Sequence, residues 1–570
     1  MKIMNLVQNK GEKQEKNRKV SSGFRFTILA IILISLFCFA ITPVTLQNDT
    51  FYTIKIGEHI QKYGVDMKDP FSWHEGLSYT YPHWLYDWLT YLVYDGFGMD
   101  GIYAVTCLLS IILGISLYFV TQKLTKNQVI SFLVSLGAMY LIKSYIAARA
   151  QLVTFILFVW TIYFIEQFLS TKKKRYAIGL VIIPLVMANL HTAVWPFYFV
   201  LYLPYVAEYL VAVLGDFIFY HKMALAMQKL RINWLTKKRP DSPKLAEWIA
   251  KNKELMAKVD RIKMRREEEN QHPYKIKIEK RKATKWLIVI MILCVLTGFL
   301  TPIGNTPFTY LWKTMEGNTT QNINEHLPMT LANQTEVICA LVIFLSILLF
   351  TKTKIRLADL CMLAGLTYLM FLTKRQVTMF ALVGAIILAR LIQDFYQRVK
   401  MDPQKLVHIM ATPIAIILLI IFFGSISLKE IKDKQGDPYI SEKSYPVQAC
   451  NFILENVDLG KARFYNEYNY GSYLLFRGIP VFIDSRADLY APEFSGLTDD
   501  IFMDFINTSS IGTFYEDTFE KYGITHVICY KNAKMNMIIT KTNDPNYQQI
   551  YGDDQFVIYE RLNATKTTDN

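Results

Sequence analysis

Eleven apolar runs, each close to the length of a membrane-spanning helix, dominate this sequence. A helix that crosses the hydrocarbon core of a bilayer needs about 20 predominantly apolar residues. Apolar residues make up 52% of the 570 residues and charged residues only 19%, and the mean hydropathy is positive at +0.20. We therefore predict an α-helical polytopic membrane protein with about 11 transmembrane helices, centred on residues 26–46, 101–121, 128–146, 152–170, 176–191, 194–217, 286–303, 334–351, 356–373, 377–394 and 407–426.

The basic charge is concentrated in one segment. The chain has 62 Lys and Arg against 48 Asp and Glu, a formal net charge of +14. Residues 221–285 hold 20 basic and 8 acidic residues, whereas residues 425–570 hold 14 basic and 21 acidic ones. Because Lys and Arg beside membrane helices stay on the cytoplasmic side, this asymmetry predicts orientation, and we expect membrane lipids rather than nucleic acid as partners.

Counting spans from the N-terminus predicts the topology. Residues 1–25 are basic and no small-residue cleavage pattern follows the first run, so we predict an uncleaved anchor with a cytoplasmic N-terminus. Every connection then expected to be cytoplasmic is basic, and eleven crossings leave residues 427–570 outside, where their acidity fits. The predicted location is the plasma membrane, crossed many times.

The resulting domain prediction has three parts. Residues 1–25 form the basic cytoplasmic N-terminus, and residues 26–426 form the transmembrane domain. Within the latter, residues 47–98 are the first extracytoplasmic loop and residues 221–285 a basic cytoplasmic insert. Residues 427–570 form an extracytoplasmic α/β domain. In the insert, Lys244 to Arg266 suits an amphipathic helix on an anionic leaflet, and a solvated charged hairpin explains the pattern at least as well.

The C-terminal segment mixes helical and strand patterns. Residues 445–455 have helical spacing, and strands are predicted at residues 462–465, 481–483, 527–530 and 556–559. Two of the seven cysteines, Cys450 and Cys529, lie in this segment and would be free to pair if it is extracytoplasmic.

Acidic and imidazole side chains gather in the first loop. Asp49 follows directly on the first span, Asp69 precedes a proline, and His83 and Asp87 are four apart and so share a face if the segment is helical. Glu58 lies on a predicted short helix between them. Such groups can deprotonate an acceptor hydroxyl or hold a divalent cation. The structural alternatives are that Asp49 caps a helix, that Asp69 belongs to a turn and that His83 is an interfacial residue.

Cations on the predicted outer side form a second group of candidates. Arg149 begins the fourth span, and Lys374 and Arg375 connect the ninth and tenth spans, which runs against the positive-inside rule. Guanidinium groups match phosphate oxygens bidentately, so these residues suit an anion. Snorkelling to lipid phosphates is an equal alternative. Glu325 and His326, in a later outer loop, are candidates for orienting a sugar or for a packed turn.

The C-terminal segment contains one further acidic motif. Asp484 follows a predicted strand, the usual place for a site in an α/β layer. The alternative, which we favour over catalysis, is an internal ion pair of Asp484 or Asp488 with Arg486; sugar recognition stays open.

In order along the chain, these motifs resemble bacterial polytopic membrane proteins of the GT-C glycosyltransferase superfamily. The resemblance is carried by Asp49-Thr50-Phe51-Tyr52, Asp69-Pro70-Phe71-Ser72, His83-Trp84-Leu85, Arg149-x-Gln151, Lys374-Arg375 and the segment from Phe482 to Asp488, and it covers nearly all of the chain apart from residues 221–285.

GT-C enzymes use a polyprenyl-phosphate-linked sugar as the usual donor. The resemblance implies that Asp49 is the base or a metal ligand, that Asp69, His83 and Asp87 are its neighbours, and that Arg149 and Arg375 hold the phosphate. It also implies that Gln151 binds the substrate. Without reference to the resemblance, we predict four further substrate-binding residues: Glu58, Glu325, His326 and Lys374. The predicted activity is sugar transfer to a cell-envelope glycan or lipid acceptor on the extracytoplasmic face. The alternatives are a transporter or flippase of lipid-linked sugars and a non-catalytic scaffold for envelope assembly.

Overall fold

The computed structural model describes residues 2–214, 218–271 and 275–562, and most of them are helical. The expected domain 427–570 thus has its last residues, 563–570, outside the described part. Up to residue 433 the α-helices are α1 (Lys2–Ile41), α2 (Asn48–Tyr63), α3 (Trp84–Thr125), α4 (Gln128–Leu141), α5 (Ala150–Thr171), α6 (Lys174–Leu190), α7 (Trp195–Val200), α8 (Leu203–Leu214), α9 (Ile218–Lys238), α10 (Pro243–Gln271), α11 (Thr284–Cys294), α12 (Thr306–Glu316), α13 (Thr319–Asn322), α14 (Thr335–Phe350), α15 (Leu357–Leu372), α16 (Val377–Arg398), α17 (Pro403–Met410) and α18 (Pro413–Asp433).

Six helical segments in the described residues are long and apolar enough to cross a membrane, and they indicate a membrane protein. They are Ser22–Ile41, Trp84–Thr125, Ala150–Thr171, Thr192–Leu214, Lys374–Arg398 and Pro413–Asp433. Four shorter apolar segments, Gln128–Leu141, Thr284–Phe299, Thr335–Phe350 and Leu357–Leu372, accompany them. Each apolar run of the sequence contains a helix. The number of spans, about 11, stays a prediction, as does the orientation.

The outward faces of these helices suit hydrocarbon rather than water. Helix α18 leaves Ile417 and Ile421 exposed by 56% and 61%. Large apolar side chains exposed next to each other are unfavourable on a water-soluble monomer, whereas the acyl chains of a bilayer provide an apolar environment for them. The inward faces of the helices share one apolar core, which includes Leu113, Val159 and Ile386.

Two helices of the first loop cross at very close range. Helix α2 packs on the start of α3 at Gly57, where a Cβ atom would lie 2.1 Å from the Asp87 carbonyl oxygen and 2.5 Å from the Tyr91 Cβ. Only glycine permits this approach. Helix α3 then bends at Gly98, whose φ of 61° interrupts the helical geometry. The crossing brings the beginning of α2, with Asp49, and the beginning of α3, with Asp87, to the same part of the molecule.

The insert is a helical hairpin. Helices α9 and α10 pack on each other around Leu235 and Val259, and the Arg231 guanidinium lies 6.0 Å from the centre of the Trp248 ring. The apolar face of α10 is thus used inside the hairpin, which favours the hairpin interpretation of residues 244–266. After it, β1 (Ile276–Lys277) pairs in parallel with β2 (Ile355–Arg356).

The C-terminal segment contains a four-stranded sheet with short helices around it. The helices are α19 (Val447–Asn456), α20 (Tyr468–Phe476), α21 (Pro492–Ser495), α22 (Ile501–Ser510), α23 (Tyr515–Tyr522) and α24 (Lys534–Thr542), and the strands are β3 (Phe464–Tyr465), β4 (His526–Tyr530), β5 (Tyr547–Gly552) and β6 (Phe556–Arg561). The strand order is β3-β4-β6-β5; β3 and β4 are parallel, and β6 is antiparallel to both of its neighbours.

The strand predicted at Val481 to Ile483 is wrong. Val481 forms one isolated bridge with Ser72 of the first loop. Beyond it, the Asn466 side chain takes the place of a strand partner: its Oδ1 accepts from the Phe482 amide and its Nδ2 donates to the Ile483 carbonyl. A buried side chain thereby satisfies the backbone groups that a neighbouring strand would otherwise pair.

The first loop and the C-terminal segment share a second apolar core. Phe51 of α2 is fully buried, and its ring centre lies 5.0 Å from that of Tyr445 and 5.1 Å from that of Tyr473. The thiols of Cys450 and Cys529 are buried in this core and are both free, so they do not pair. The C-terminal segment is therefore held against the first loop by packing.

Candidate functional site at one end of the helical bundle

Asp49 lies in the first turn of α2 and is paired with an arginine. The residue at the N-cap position is Gln47, which makes no capping hydrogen bond, so the helix-cap interpretation of Asp49 is wrong. Asp49 Oδ2 lies 2.8 Å from Arg149 Nη2. The other carboxylate oxygen, Oδ1, has no hydrogen-bond donor among the described residues, and about a fifth of the side chain is exposed. One oxygen of Asp49 is thus free to accept a proton or a ligand.

Arg149 is the centre of this site. It precedes α5 in extended conformation, and its Nη1 lies 3.3 Å from Oε1 of Glu325, which sits on the short 3₁₀ helix Asn324–His326. Burial alone would lower the pKa of Arg149, but the carboxylates of Asp49 and Glu325 raise it by more, so it is above its usual value. Its Nε is buried without a hydrogen-bond partner. The guanidinium is permanently charged and only partly satisfied.

Lys374 and Arg375 are paired with neutral amides instead of carboxylates. Arg375 Nη2 donates to Gln151 Oε1 at 3.0 Å, and Lys374 Nζ donates to Asn324 Oδ1 at 2.8 Å. Within the part of the chain that the structure describes, neither cation has a carboxylate within ion-pair distance. Arg375 lies close enough to Arg149 to feel its charge. Lys374 and Arg375 are therefore cations without a directly paired counter-ion among the described residues.

A histidine–carboxylate pair lies beside this cluster. His83 immediately precedes α3, and its Nδ1 lies 3.5 Å from Oδ2 of Asp87, which is completely buried and whose oxygens have no hydrogen bond. The His83 ring is 5.5 Å from that of His191, which is hydrogen-bonded to Thr154 at 2.9 Å. The sequence spacing correctly predicted that His83 and Asp87 face each other.

Tyr52 connects the two groups. Its ring stacks near that of His83, with 6.2 Å between the ring centres, and it follows Asp49 by three residues on α2. Burial, followed by the nearby charge of Asp49, raises the pKa of the Tyr52 hydroxyl well above its usual value. The hydroxyl therefore stays protonated between the carboxylates of Asp49 and Asp87.

His326 is a neutral imidazole at the edge of the site. Burial lowers its pKa, and the charge of Arg375 lowers it further. Nearby, Asp488 accepts hydrogen bonds from Tyr310 at 2.6 Å and Thr319 at 2.9 Å. Asn48 Nδ2 also donates to the Tyr468 carbonyl at 2.9 Å. The C-terminal segment thus covers part of the site.

Two residues of the predicted site have other partners. Asp69 Oδ1 lies 2.6 Å from Arg486 Nη1, and Asp69 Oδ2 accepts from the Ser72 amide, as expected of a turn. Arg486 also pairs with Asp484 at 2.6 Å, which is the internal ion pair that the sequence suggested. Glu58 pairs on the α2 surface with Lys55 and Lys62. The structure does not join these side chains to Asp49, and their functional roles stay predictions.

No metal cluster is evident in the part of the chain that the structure describes: it contains no group of three or more His, Cys, Asp or Glu side chains arranged to hold an ion. A small recess opens beside the site, between the residues that precede Asp49 and Arg149. It is lined by Pro43, Thr45, Leu46, Gln47, Tyr103, Thr106, Ala147 and Ala148.

A second charged cluster, which the sequence patterns did not predict, lies at the opposite end of the bundle. Glu166 of α5 lies 2.5 Å from Arg356, 2.9 Å from Arg281 and 3.0 Å from Arg390. Seventeen residues separate Arg149 from Glu166 on α5, so the two clusters are about 25 Å apart. Its signal was present: Glu166 and Arg390 are charged residues inside apolar runs, where a partner is required.

These features describe a helical membrane protein with a partly exposed cluster of carboxylates, guanidiniums and imidazoles at one end of its bundle. The sequence matches no protein-family model and no curated protein sequence. Among solved structures, the chain is similar to the apo oligosaccharyltransferase of Archaeoglobus fulgidus, with a TM-score of 0.49 and 12% identity over 90% of this chain and 69% of that one. A likeness at this level implies neither an activity nor a substrate for this chain.

Proposed function

We propose that this protein is a membrane glycosyltransferase that moves a sugar from a polyprenyl-phosphate-linked donor to a cell-envelope acceptor on the extracytoplasmic face. The observation that carries the proposal is the cluster formed by Asp49, Arg149 and Arg375. A free carboxylate oxygen and two guanidiniums are held together where three apolar helices begin or end.

The cations suit a phosphate. Arg149, Lys374 and Arg375 bring three cations to the cluster, and the last two have only amide side chains as partners among the described residues. A sugar phosphodiester would supply the charged acceptor that these two cations lack. When the sugar leaves, more charge develops on the phosphate, and fixed guanidiniums stabilise that charge more strongly in the transition state than in the ground state.

Asp49 suits the general base. Its Oδ2 lies 2.8 Å from Arg149 Nη2, an ion pair that orients the carboxylate, and its Oδ1 has no hydrogen-bond donor among the described residues. In the proposed step, Oδ1 accepts the proton of the acceptor hydroxyl as that oxygen attacks the anomeric carbon. The bond from this carbon to the phosphate oxygen breaks on the opposite side, so the configuration inverts.

The His83–Asp87 pair suits a supporting role. His83 Nδ1 lies 3.5 Å from the buried Asp87 carboxylate, and the His83 ring stacks near Tyr52, whose hydroxyl is also affected by the charge of Asp49. We assign His83 to orienting the acceptor hydroxyl and Asp87 to orienting His83. Gln151 and Asn324 hold the two cations until a phosphate replaces their amide oxygens as the hydrogen-bond acceptor.

The experiment that tests this function compares Asp49→Asn with wild type in the source cells. The amide keeps the size of the side chain but cannot take up a proton at neutral pH, so we expect normal expression and loss of a cell-envelope glycan. Asp95→Asn is the matched control, because Asp95 is an exposed carboxylate on α3 outside the site. Wild-type glycan in the Asp49→Asn strain would refute the catalytic assignment and favour a scaffold or a flippase.

A further inference from the structure

Helix α9 has a face of large apolar side chains that are about half exposed or more in the described part of the chain. One side of α9, with Gln228 and Leu235, is buried against α10. Another side presents large apolar residues whose exposed fractions run from 46% to 70%: Tyr220, Met223, Met227, Leu230 and Trp234. We refer to these five residues as the α9 stripe.

The spacing of the α9 stripe places its members in one line. The intervals between them are three, four, three and four residues, so they follow one face of the helix. From Tyr220 to Trp234 the line is about 21 Å long. This is a continuous surface rather than a set of scattered apolar side chains, and an aromatic residue stands at each of its ends.

Basic residues border the α9 stripe on both sides. At 100° per residue, Lys237 lies along one edge, and Arg231 and Lys238 lie along the other. The Lys238 ammonium is 5.5 Å from the centre of the Trp234 ring. Helix α9 contains no Asp or Glu at all. The face is therefore an apolar line with basic residues at its edges and no acidic residue on its own helix.

We propose that the α9 stripe docks on the surface of an anionic phospholipid bilayer. Aromatic side chains and the aliphatic stems of Lys favour the membrane interface, where headgroups meet acyl chains. Anionic headgroups also complement the charge of the bordering cations. The hairpin is also attached close to the membrane, because it lies between α8, which belongs to a segment long and apolar enough to cross a bilayer, and α11, which belongs to a shorter apolar segment. The inference rests on the membrane location and is independent of the proposed glycosyl transfer.

A second copy of α9 is a poorer occupant. Apolar residues at intervals of three and four also suit a coiled coil, but such a pairing needs opposite charges along its edges. Two copies of α9 would bring Lys and Arg of one helix against those of the other, with no acidic side chain to compensate. The charge pattern thus favours an anionic surface over self-association.

The test uses spin labels on the full-length protein in lipid nanodiscs. Met227→Cys places a label on the α9 stripe, and Thr236→Cys places one on the opposite, exposed face of the same helix. Cys339 and Cys361, which are exposed and half-buried, are replaced by Ser in both variants. The discs contain phosphatidylcholine alone or with phosphatidylglycerol in both leaflets, so orientation does not matter.

For each label, we compare the accessibility to dissolved oxygen with the accessibility to a water-soluble nickel chelate. In phosphatidylglycerol discs, we expect the ratio of oxygen to nickel accessibility to be several-fold higher for the Met227→Cys label than for the Thr236→Cys label. Adding Lys237→Gln and Lys238→Gln, or removing phosphatidylglycerol, should reduce this difference. Equal nickel accessibility of both labels in phosphatidylglycerol discs would refute the proposal. Exclusion of the Met227→Cys label from both oxygen and nickel would also refute it, because the stripe would then be covered by protein.

Discussion

At the scale of single residues, the candidate site combines one guanidinium that is paired with carboxylates and one that is paired only with an amide. Arg149 contacts two carboxylates, Asp49 and Glu325, whereas Arg375 contacts only the amide of Gln151 among the described residues. An amide oxygen is a weaker acceptor for a guanidinium than a phosphate oxygen is, because its hydrogen bond is not assisted by charge on both sides. Arg375 can therefore exchange its partner for a phosphate at little cost.

We expect Arg149→Lys and Arg375→Lys each to weaken binding of polyprenyl phosphate by about tenfold. Lys keeps the charge but loses the planar fork that binds two phosphate oxygens at once. Because a shared phosphate couples the two sites, the double variant should lose less than the product of the single losses. The measurement is a binding titration with polyprenyl phosphate on the purified protein in nanodiscs.

Arg477→Lys is the control for this titration, since Arg477 is a C-terminal arginine that donates to Asn451 away from the site. It should bind polyprenyl phosphate as wild type does. Unchanged binding in both single variants would mean that Arg149 and Arg375 do not bind the polyprenyl phosphate and only extend toward the phosphates of the surrounding lipids. Strictly multiplicative losses would mean that they act on different partners.

At the scale of elements, a buried ion-pair cluster joins the first loop to the C-terminal segment. Arg486 lies between Asp69 and Asp484, and all three side chains are essentially inaccessible to solvent. His74 of the same loop hydrogen-bonds through Nε2 to the Phe482 carbonyl at 3.0 Å. Since Asn48 and Tyr468 also meet across this contact, the cluster helps to fix the cover of the candidate site.

We expect Asp69→Asn to lower the stability of the folded protein by about 3 kcal/mol, because removing one partner leaves charge on Arg486 that is only partly compensated. Thermal unfolding followed by intrinsic fluorescence would measure the change. Glu75→Gln, at an exposed position of the same loop, should leave the melting temperature unchanged. A variant Asp69→Asn with wild-type melting temperature but no glycan product would instead support the predicted catalytic role of Asp69.

The sequence predicted the helices much better than the partners of polar residues. Length and apolar content place a helix at every apolar run, since hydrocarbon-facing helices have few alternatives. The pairing of His83 with Asp87 also followed from spacing, because both belong to one helical turn. By contrast, Asp69 is 417 residues from Arg486, and Asn466 replaces a strand partner of residues 482–483. Such contacts depend on how distant segments pack, which local periodicity does not encode.

At the scale of the whole molecule, two charged clusters mark the two ends of the helical bundle. The Asp49–Arg149 cluster lies where α5 begins, and the Glu166 cluster lies near where α5 ends. The proposed function requires the first end to face outward and the second, with the basic hairpin, to face the cytoplasm. The distribution of basic residues in the connections supports this orientation.

Reporter fusions test that orientation. A reporter fused after residue 260, in α10, should report a cytoplasmic location, because basic connections stay inside. A reporter fused at the C-terminus should report an extracytoplasmic location. A third fusion after residue 75 of the first loop provides the control and should match the C-terminal one. Activity of the residue-260 and C-terminal reporters on the same side would remove the basis for an extracytoplasmic site.

The central claim is that Asp49 drives transfer of a sugar away from a polyprenyl phosphate. The most direct measurement is release of polyprenyl phosphate when purified protein in nanodiscs is given lipid-linked sugars and acceptor material extracted from the source membranes. We expect release with wild type, and none with Asp49→Asn, which should still bind polyprenyl phosphate. Equal release by both proteins, or tight binding of the lipid by wild type with no release, would contradict the claim.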